Sequence, residues 1–133
     1  MISSQVESAF AQAIAPTLQI QRLSGSDWRV IEISDPCLIA IAENFENVVG
    51  PLWRGTLRIR LEYPPLAGAQ AAQGFSQAEA AVAGWLATPS NIQGVSLASG
   101  RIAGCKVNSA EAQAPQDNRW VSEFTITLGL ATA

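Results

Sequence analysis

The sequence contains no histidine. Without an imidazole, histidine-assisted catalysis by serine or cysteine is excluded, and so are ordinary zinc sites with histidine ligands. The two cysteines, Cys37 and Cys105, are far apart in the chain, so they cannot supply a four-cysteine metal site and do not suggest a disulfide framework. A reducing compartment is therefore expected, and the sequence predicts no metal and no other cofactor.

Long apolar runs are also missing. The longest purely apolar stretch, Leu38 to Ala42, is far too short to cross a bilayer, and the first residues lack a basic leader followed by an apolar segment. We therefore expect a soluble, non-exported protein with no membrane partner.

Charge is scarce, at 14% of residues, and the net charge is −3 from eleven acids and eight bases. This balance argues against a protein that covers nucleic acid phosphates with a broad basic face. Lys106 is the only lysine, so seven of the eight bases are arginines. Arginine favours bidentate pairing with carboxylates at contacts between surfaces, although GC-rich codon usage would produce the same bias.

Two helices are predicted from capping patterns. Ser4 and Glu7 have the spacing of a reciprocal capping box, and the apolar periodicity after them predicts a helix to Ala15. Ser76 and Glu79 repeat the pattern, which predicts a second helix that ends before Thr88-Pro89. We interpret the preceding segment, residues 64–74, as a mobile loop.

Two segments alternate clearly between apolar and polar residues. They are WRGTLRIRLEY, residues 53–63, and RWVSEFTITLGL, residues 119–130, and each predicts a strand with one buried face. The run CLIAIA, residues 37–42, predicts a strand covered on both faces.

The other segments give weaker patterns. We expect a short edge strand in 17–23, an extended piece from Trp28, a turn over 43–51, one or two bent or bulged strands in 91–107, and a long loop over 108–119. At 133 residues the chain is expected to be one domain, residues 1–133. The predicted fold class is α+β, a mostly antiparallel sheet of four to five strands with two helices packed on one face.

No catalytic constellation emerges. Lys106 beside Cys105 is more typical of a solvated residue than of a Schiff base, and the glycines of SGRIAGCK lack the spacing of a phosphate-binding loop. Glu43 and Glu46 would come together on a helix but lie in a turn-like segment. The protein is therefore not expected to be an enzyme.

The arginine-rich face of residues 53–63 is the best candidate for a contact surface. Its alternative is a solvated strand face on which Arg58 pairs with Glu123. Parity places Trp53, Trp85 and Trp120 toward the core and leaves Trp28 undecided. The candidate interface residues are Arg54, Arg58, Arg60, Glu62, Glu43, Glu46, Trp28, Asp117 and Arg119.

The segment PCLIAIAENFE leads through a glycine-bearing turn into the Trp53 strand, and RWVSEFTITL is the last predicted strand. This order of elements resembles that of the tail terminator, or tail completion, proteins of tailed bacteriophages. The resemblance extends from about Ser3 to Leu130 and rests on element order and hydrophobic pattern, not on a signature motif.

This resemblance implies a non-enzymatic virion protein that forms a ring, commonly a hexamer, on the tail tube and joins it to the neck. Its partners would be copies of itself, the tail tube protein and neck or connector proteins, with DNA passing through the ring but no sequence-specific nucleic acid binding. It would be assembled in the host cytoplasm and located in the tail or neck of the virion. The alternatives are another neck, connector or minor tail protein, or a monomeric protein-binding module.

Overall fold

The computed structural model of the protein describes residues 2–28, 35–63, 69–98, 100–116 and 119–132. The elements, in chain order, are α1 Ile2–Ala13, β1 Gln21–Ser24, α2 Gly25–Trp28, β2 Cys37–Val49, β3 Leu52–Tyr63, α3 Ala69–Leu86, α4 Pro89–Gln93, β4 Gly100–Gln116 and β5 Arg119–Thr132.

The five strands form one sheet in the order β1-β2-β3-β5-β4. The short strand β1 pairs parallel to β2, and the other three pairings are antiparallel. The predicted α+β class with a mostly antiparallel sheet is confirmed, and β1 confirms the short edge strand expected in 17–23.

The main core lies between the sheet and the helices α1 and α3. On the central strands, Leu57 pairs with Ile126 and Ile59 pairs with Phe124, and all four side chains are buried. They belong to one cluster with helix residues that include Phe10. Each such side chain contributes roughly 1.5–3 kcal/mol by leaving water. The one-sided alternation predicted for both strands is confirmed.

The apolar run at the start of β2 is buried on both faces, as predicted. Ala40 belongs to the main core, whereas Ile39 and Ile41 belong to a second cluster on the opposite face of the sheet. The second cluster also contains Cys37, Leu23 of β1 and the half-buried Trp28.

The two predicted helix starts were wrong. α1 begins at Ile2, so Ser4 lies inside the helix, and a Glu7 carboxylate oxygen accepts a hydrogen bond from the Ala42 backbone N–H at 2.9 Å. Because β1 ends opposite Ala40, that N–H has no partner strand beside it. The Glu7 carboxylate therefore binds the backbone of β2 and does not form the predicted capping box with Ser4.

The second helix, α3, begins at Ala69, which places Ser76 in its interior. Residues 69–74 are therefore helical and not part of a loop, while 64–68 lie outside the described residues. Its end at Leu86 confirms the predicted boundary, and the short helix α4 follows at once, with Thr88 as N-cap and Pro89 in its first turn.

The largest correction concerns the predicted loop over 108–119. β4 continues to Gln116 and pairs with β5 as far as Arg119, with register shifts along its length. The segment 43–51 is mostly strand, because β2 continues to Val49 before the chain turns at Gly50 and Pro51. Trp28 lies in α2 and not in an extended piece, and 29–34 are outside the described residues.

Among the residues that the structure describes, no helix is both long and apolar enough to cross a membrane.

Candidate interaction surface

The face of the sheet opposite α1 and α3, here called the outer face, carries most of the candidate residues. Alternation along β3 places Arg54, Thr56, Arg58, Arg60 and Glu62 on it. The apolar start of β2 occupies the same face, where it is covered by the second cluster. The outer face therefore has a covered part and a part that carries charged and small side chains.

Five side chains of the outer face form a charged cluster, which consists of Glu43, Arg58, Arg60, Glu62 and Glu123. Arg58 approaches Glu43 at 2.8 Å and Glu123 at 3.5 Å. Arg60 approaches the same Glu123 oxygen at 2.8 Å and Glu62 at 2.9 Å. The pairing of Arg58 with Glu123, which belonged to the alternative interpretation of this face, is present, and the cluster joins three strands.

Trp28 lies against this cluster. The Arg60 guanidinium carbon is 5.4 Å from the centre of the Trp28 ring, within the range of a cation–π contact. The ring also packs on the apolar residues of β2. Trp28 therefore links the second cluster to the charged cluster.

The charged cluster is only partly accessible to water. The Arg60 and Glu123 side chains are 17% and 16% exposed. Ion pairs at such sites are screened less than surface pairs, but their desolvation cost offsets much of the attraction. Arg58 and Arg60 are therefore paired within the chain, and their ion pairs join β2, β3 and β5.

The remaining candidates lie outside the charged cluster. Arg54 and Glu46 are exposed and face each other in the β2–β3 register. Arg119 pairs through its backbone with Gln116, and Asp117 lies outside the described residues. The described residues contain no group of three or more histidine, cysteine or acidic side chains arranged to hold a metal ion.

Next to the charged cluster the outer face opens into a groove of about 470 Å³, which we call the open groove. Gly104 and Gly129 pair directly across β4 and β5, and neither has a side chain to fill the space. The groove is flanked by the cations Arg54 and Lys106. It therefore combines a flat backbone floor with positive charge.

The rim of the open groove is apolar. Val48 and Leu52, at the end of the β2–β3 hairpin, are 58% and 42% exposed and line the groove. Sequence reasoning missed this site, because it treated the glycines of 91–107 as interruptions of a strand. The available signal was Gly129, which occupies an outward position in the alternation of β5.

This fold occurs in a virion particle. One similar solved structure is a chain of the "Virion of native gene transfer agent (GTA) particle", which superposes with a TM-score of 0.53 at 14% sequence identity. The match covers 82% of this chain and 78% of that chain. No protein-family model matches the sequence, and no curated protein matches it. At this identity the likeness establishes the fold.

Proposed function

We propose that the protein is a structural component of a tailed-phage-type virion. The observation that carries the proposal is the shared fold: 82% of the chain superposes on a chain of a gene transfer agent virion. The sequence resemblance to phage tail terminators, which rests on a different kind of observation, supports the same class of protein.

Within that class, the proposed role is tail terminator. The protein forms a ring, most simply of six subunits, that caps the tail tube and joins it to the neck. A ring built from one kind of subunit needs two different contact surfaces on each copy, since every copy must bind one neighbour on each side. The two edges of the sheet, β1 and β4, differ in length and in direction of pairing, which suits such contacts.

The internally paired charged cluster supports this role in a different way. Its ion pairs join β2, β3 and β5 within one subunit, so this part of the outer face is formed before assembly. Preformed surfaces reduce the ordering cost of association.

The test is the mass of the purified protein in solution by sedimentation velocity, together with negative-stain electron microscopy alone and with purified tail tubes. The expected result is a closed ring, found free at high concentration or at the ends of tubes. A protein that stays monomeric at high concentration and leaves tube ends uncapped overturns the proposal. A monomer that binds one non-virion protein would favour the binding-module alternative.

A further inference from the structure

The exposed charges of the described residues are separated by sign across the sheet. The exposed cations are Arg54, Arg101 and Lys106, which lie on β3 and β4. Two of the three exposed acids, Asp27 and Asp35, lie beside β1 and the start of β2. The two outer strands of the sheet are β1 and β4. Among the residues whose exposure the structure describes, there is therefore a basic edge at β4 and an acidic edge beside β1.

The third exposed acid, Glu46, does not neutralise the basic edge. It lies opposite Arg54 in the β2–β3 register. Arg101 and Lys106 have no exposed acidic neighbour on their own strand within Gly100–Asn108. The open groove between Arg54 and Lys106 thus keeps a positive potential, which favours a carboxylate from another molecule.

Asp27, at the opposite edge, lies at nearly the same level along the strands as Lys106. Lys106, Thr127, Thr56 and Glu43 form one row across β4, β5, β3 and β2 by successive pairing. At the β1 edge, a side chain at Gly25, the first residue of α2, would contact Ile41, which lies two residues before Glu43. The α2 turn, with Asp27 exposed, therefore projects from the edge opposite Lys106.

We propose that the open groove of one copy binds the Asp27-bearing α2 turn of a second copy. The contact joins two different surfaces, so it is heterologous and continues from copy to copy around a ring. This inference rests on the proposed ring and specifies which surfaces of the chain meet in it.

Side chains, not strand addition, make this contact. β4 has register shifts within Ile102–Gly104 and Val107–Ser109 and carries a lysine, and both features oppose pairing of an edge strand with another chain. The apolar rim, with Val48 and Leu52, would cover the partner's turn and exclude water around the carboxylate. Where water is excluded, the attraction between opposite charges is stronger and like charges repel more strongly, so the contact discriminates by sign of charge.

The experiment is a charge swap measured by sedimentation velocity. The groove variant combines Arg54→Glu with Lys106→Glu, and the turn variant is Asp27→Lys. Each variant alone places like charges at the contact, and assembly should weaken by about tenfold or more. An equimolar mixture should restore assembly, because each groove then meets a turn of opposite charge.

Asp35→Lys is the matched control for the turn variant, since it makes the same charge change on the same side of the sheet but at the far end of the β1–β2 pairing. It should assemble like the unaltered protein. Circular dichroism of all variants should be unchanged, because all four substituted side chains are exposed.

The outcomes separate the two proposals. If the unaltered protein forms rings but the single variants assemble equally well, or the mixture stays dissociated, the groove-to-turn contact is wrong and the ring stands. If the unaltered protein is monomeric and does not cap tail tubes, the proposed function fails and the contact fails with it.

Discussion

At the residue scale, the Arg22 side chain caps the C-terminal end of α1. Its guanidinium donates hydrogen bonds to the carbonyl oxygens of Ala11 at 2.9 Å, Ala15 at 2.7 Å and Leu18 at 3.1 Å, and also to that of Ile14. The last carbonyls of a helix have no partner within it, and α1 ends in this region. Burial lowers the pKa of Arg22, but the planar group stays charged at neutral pH.

Replacing this guanidinium should therefore destabilise the fold. Arg22→Met keeps much of the apolar stem but leaves several carbonyls without a donor, which should lower the free energy of unfolding by about 1–3 kcal/mol. Urea denaturation measures the loss. Arg101→Met, at an exposed arginine, is the control and should change little. Equal effects of the two substitutions would mean that Arg22 does not cap α1.

Tyr63 gives a pH-dependent prediction. It is buried against Phe75, with ring centres 5.5 Å apart, and burial raises its pKa. Since the folded state favours the neutral phenol, this stabilisation is complete below the ordinary value of about 10 and is lost as the pH rises through the raised pKa. Tyr63 is the only tyrosine, so the ultraviolet absorbance of tyrosinate follows this residue alone. A pKa of Tyr63 at its ordinary value in the folded protein would contradict the burial of its phenol.

The sequence pattern predicted which side chains face outward better than it predicted which groups they bind. Alternation placed Arg58 and Arg60 on the outer face and suggested Glu123 as a partner, because cross-strand neighbours follow from the register of two clear strands. The role of Arg22 was missed, and Glu7 was assigned to a capping box. Both side chains instead bond backbone groups that other elements leave unpaired: Arg22 donates to carbonyl oxygens in the last turn of α1 and after it, and Glu7 accepts from the Ala42 N–H. No spacing in the sequence records those groups.

At the element scale, the β2–β3 pairing contains a bulge that positions an aromatic ring. Glu43 pairs with Thr56 and Glu46 pairs with Arg54, so two residues of β2 lie opposite Gly55 alone. The first of them, Asn44, has φ of 57°, a conformation that asparagine tolerates better than most residues. The second, Phe45, packs against the main core.

Gly55 is required by this arrangement. A Cβ at Gly55 would lie 2.4 Å from the Phe45 ring, so Gly55→Ala should destabilise the protein by about 1–3 kcal/mol through overpacking. In a Phe45→Ala background the same substitution should cost much less, because the ring is gone. A double-mutant cycle of chemical denaturation measures this coupling. Additive effects would show that the ring moves aside freely.

The predicted loop over 108–119 was wrong because strand pairing determines the structure of this segment. The end of β4 is rich in small and polar residues, which are poor evidence for a strand on their own. β-propensity depends strongly on context, and β4 forms an edge strand on β5, whose apolar alternation was clear. The start of α3 was missed for a related reason. Its alanines and glutamines favour helix, but the capping pattern at Ser76 suggested a later start.

At the scale of the whole molecule, the distribution of charge matters more than its total. The net charge of −3 describes an acidic protein, yet among the residues whose exposure the structure describes the exposed cations lie on β3 and β4 and two exposed acids lie beside β1 and the start of β2. Composition alone could not predict this, because the edges that carry these residues are defined by the strand order. The charged cluster, in contrast, is paired within the chain and lies between those edges.

This separation predicts that salt affects assembly much more than folding. Between about 0.01 M and about 1 M salt the Debye length falls from roughly 30 Å to roughly 3 Å, which screens the approach of a basic groove and an acidic turn on separate copies. Assembly of the unaltered protein, followed by sedimentation velocity, should therefore weaken as salt is added. The thermal midpoint of the dissociated subunit should change little, since Arg60 and its partners are shielded by burial. If salt strengthens assembly, the contact is driven by apolar residues such as Val48 and Leu52 and not by charge, because added salt does not weaken apolar burial.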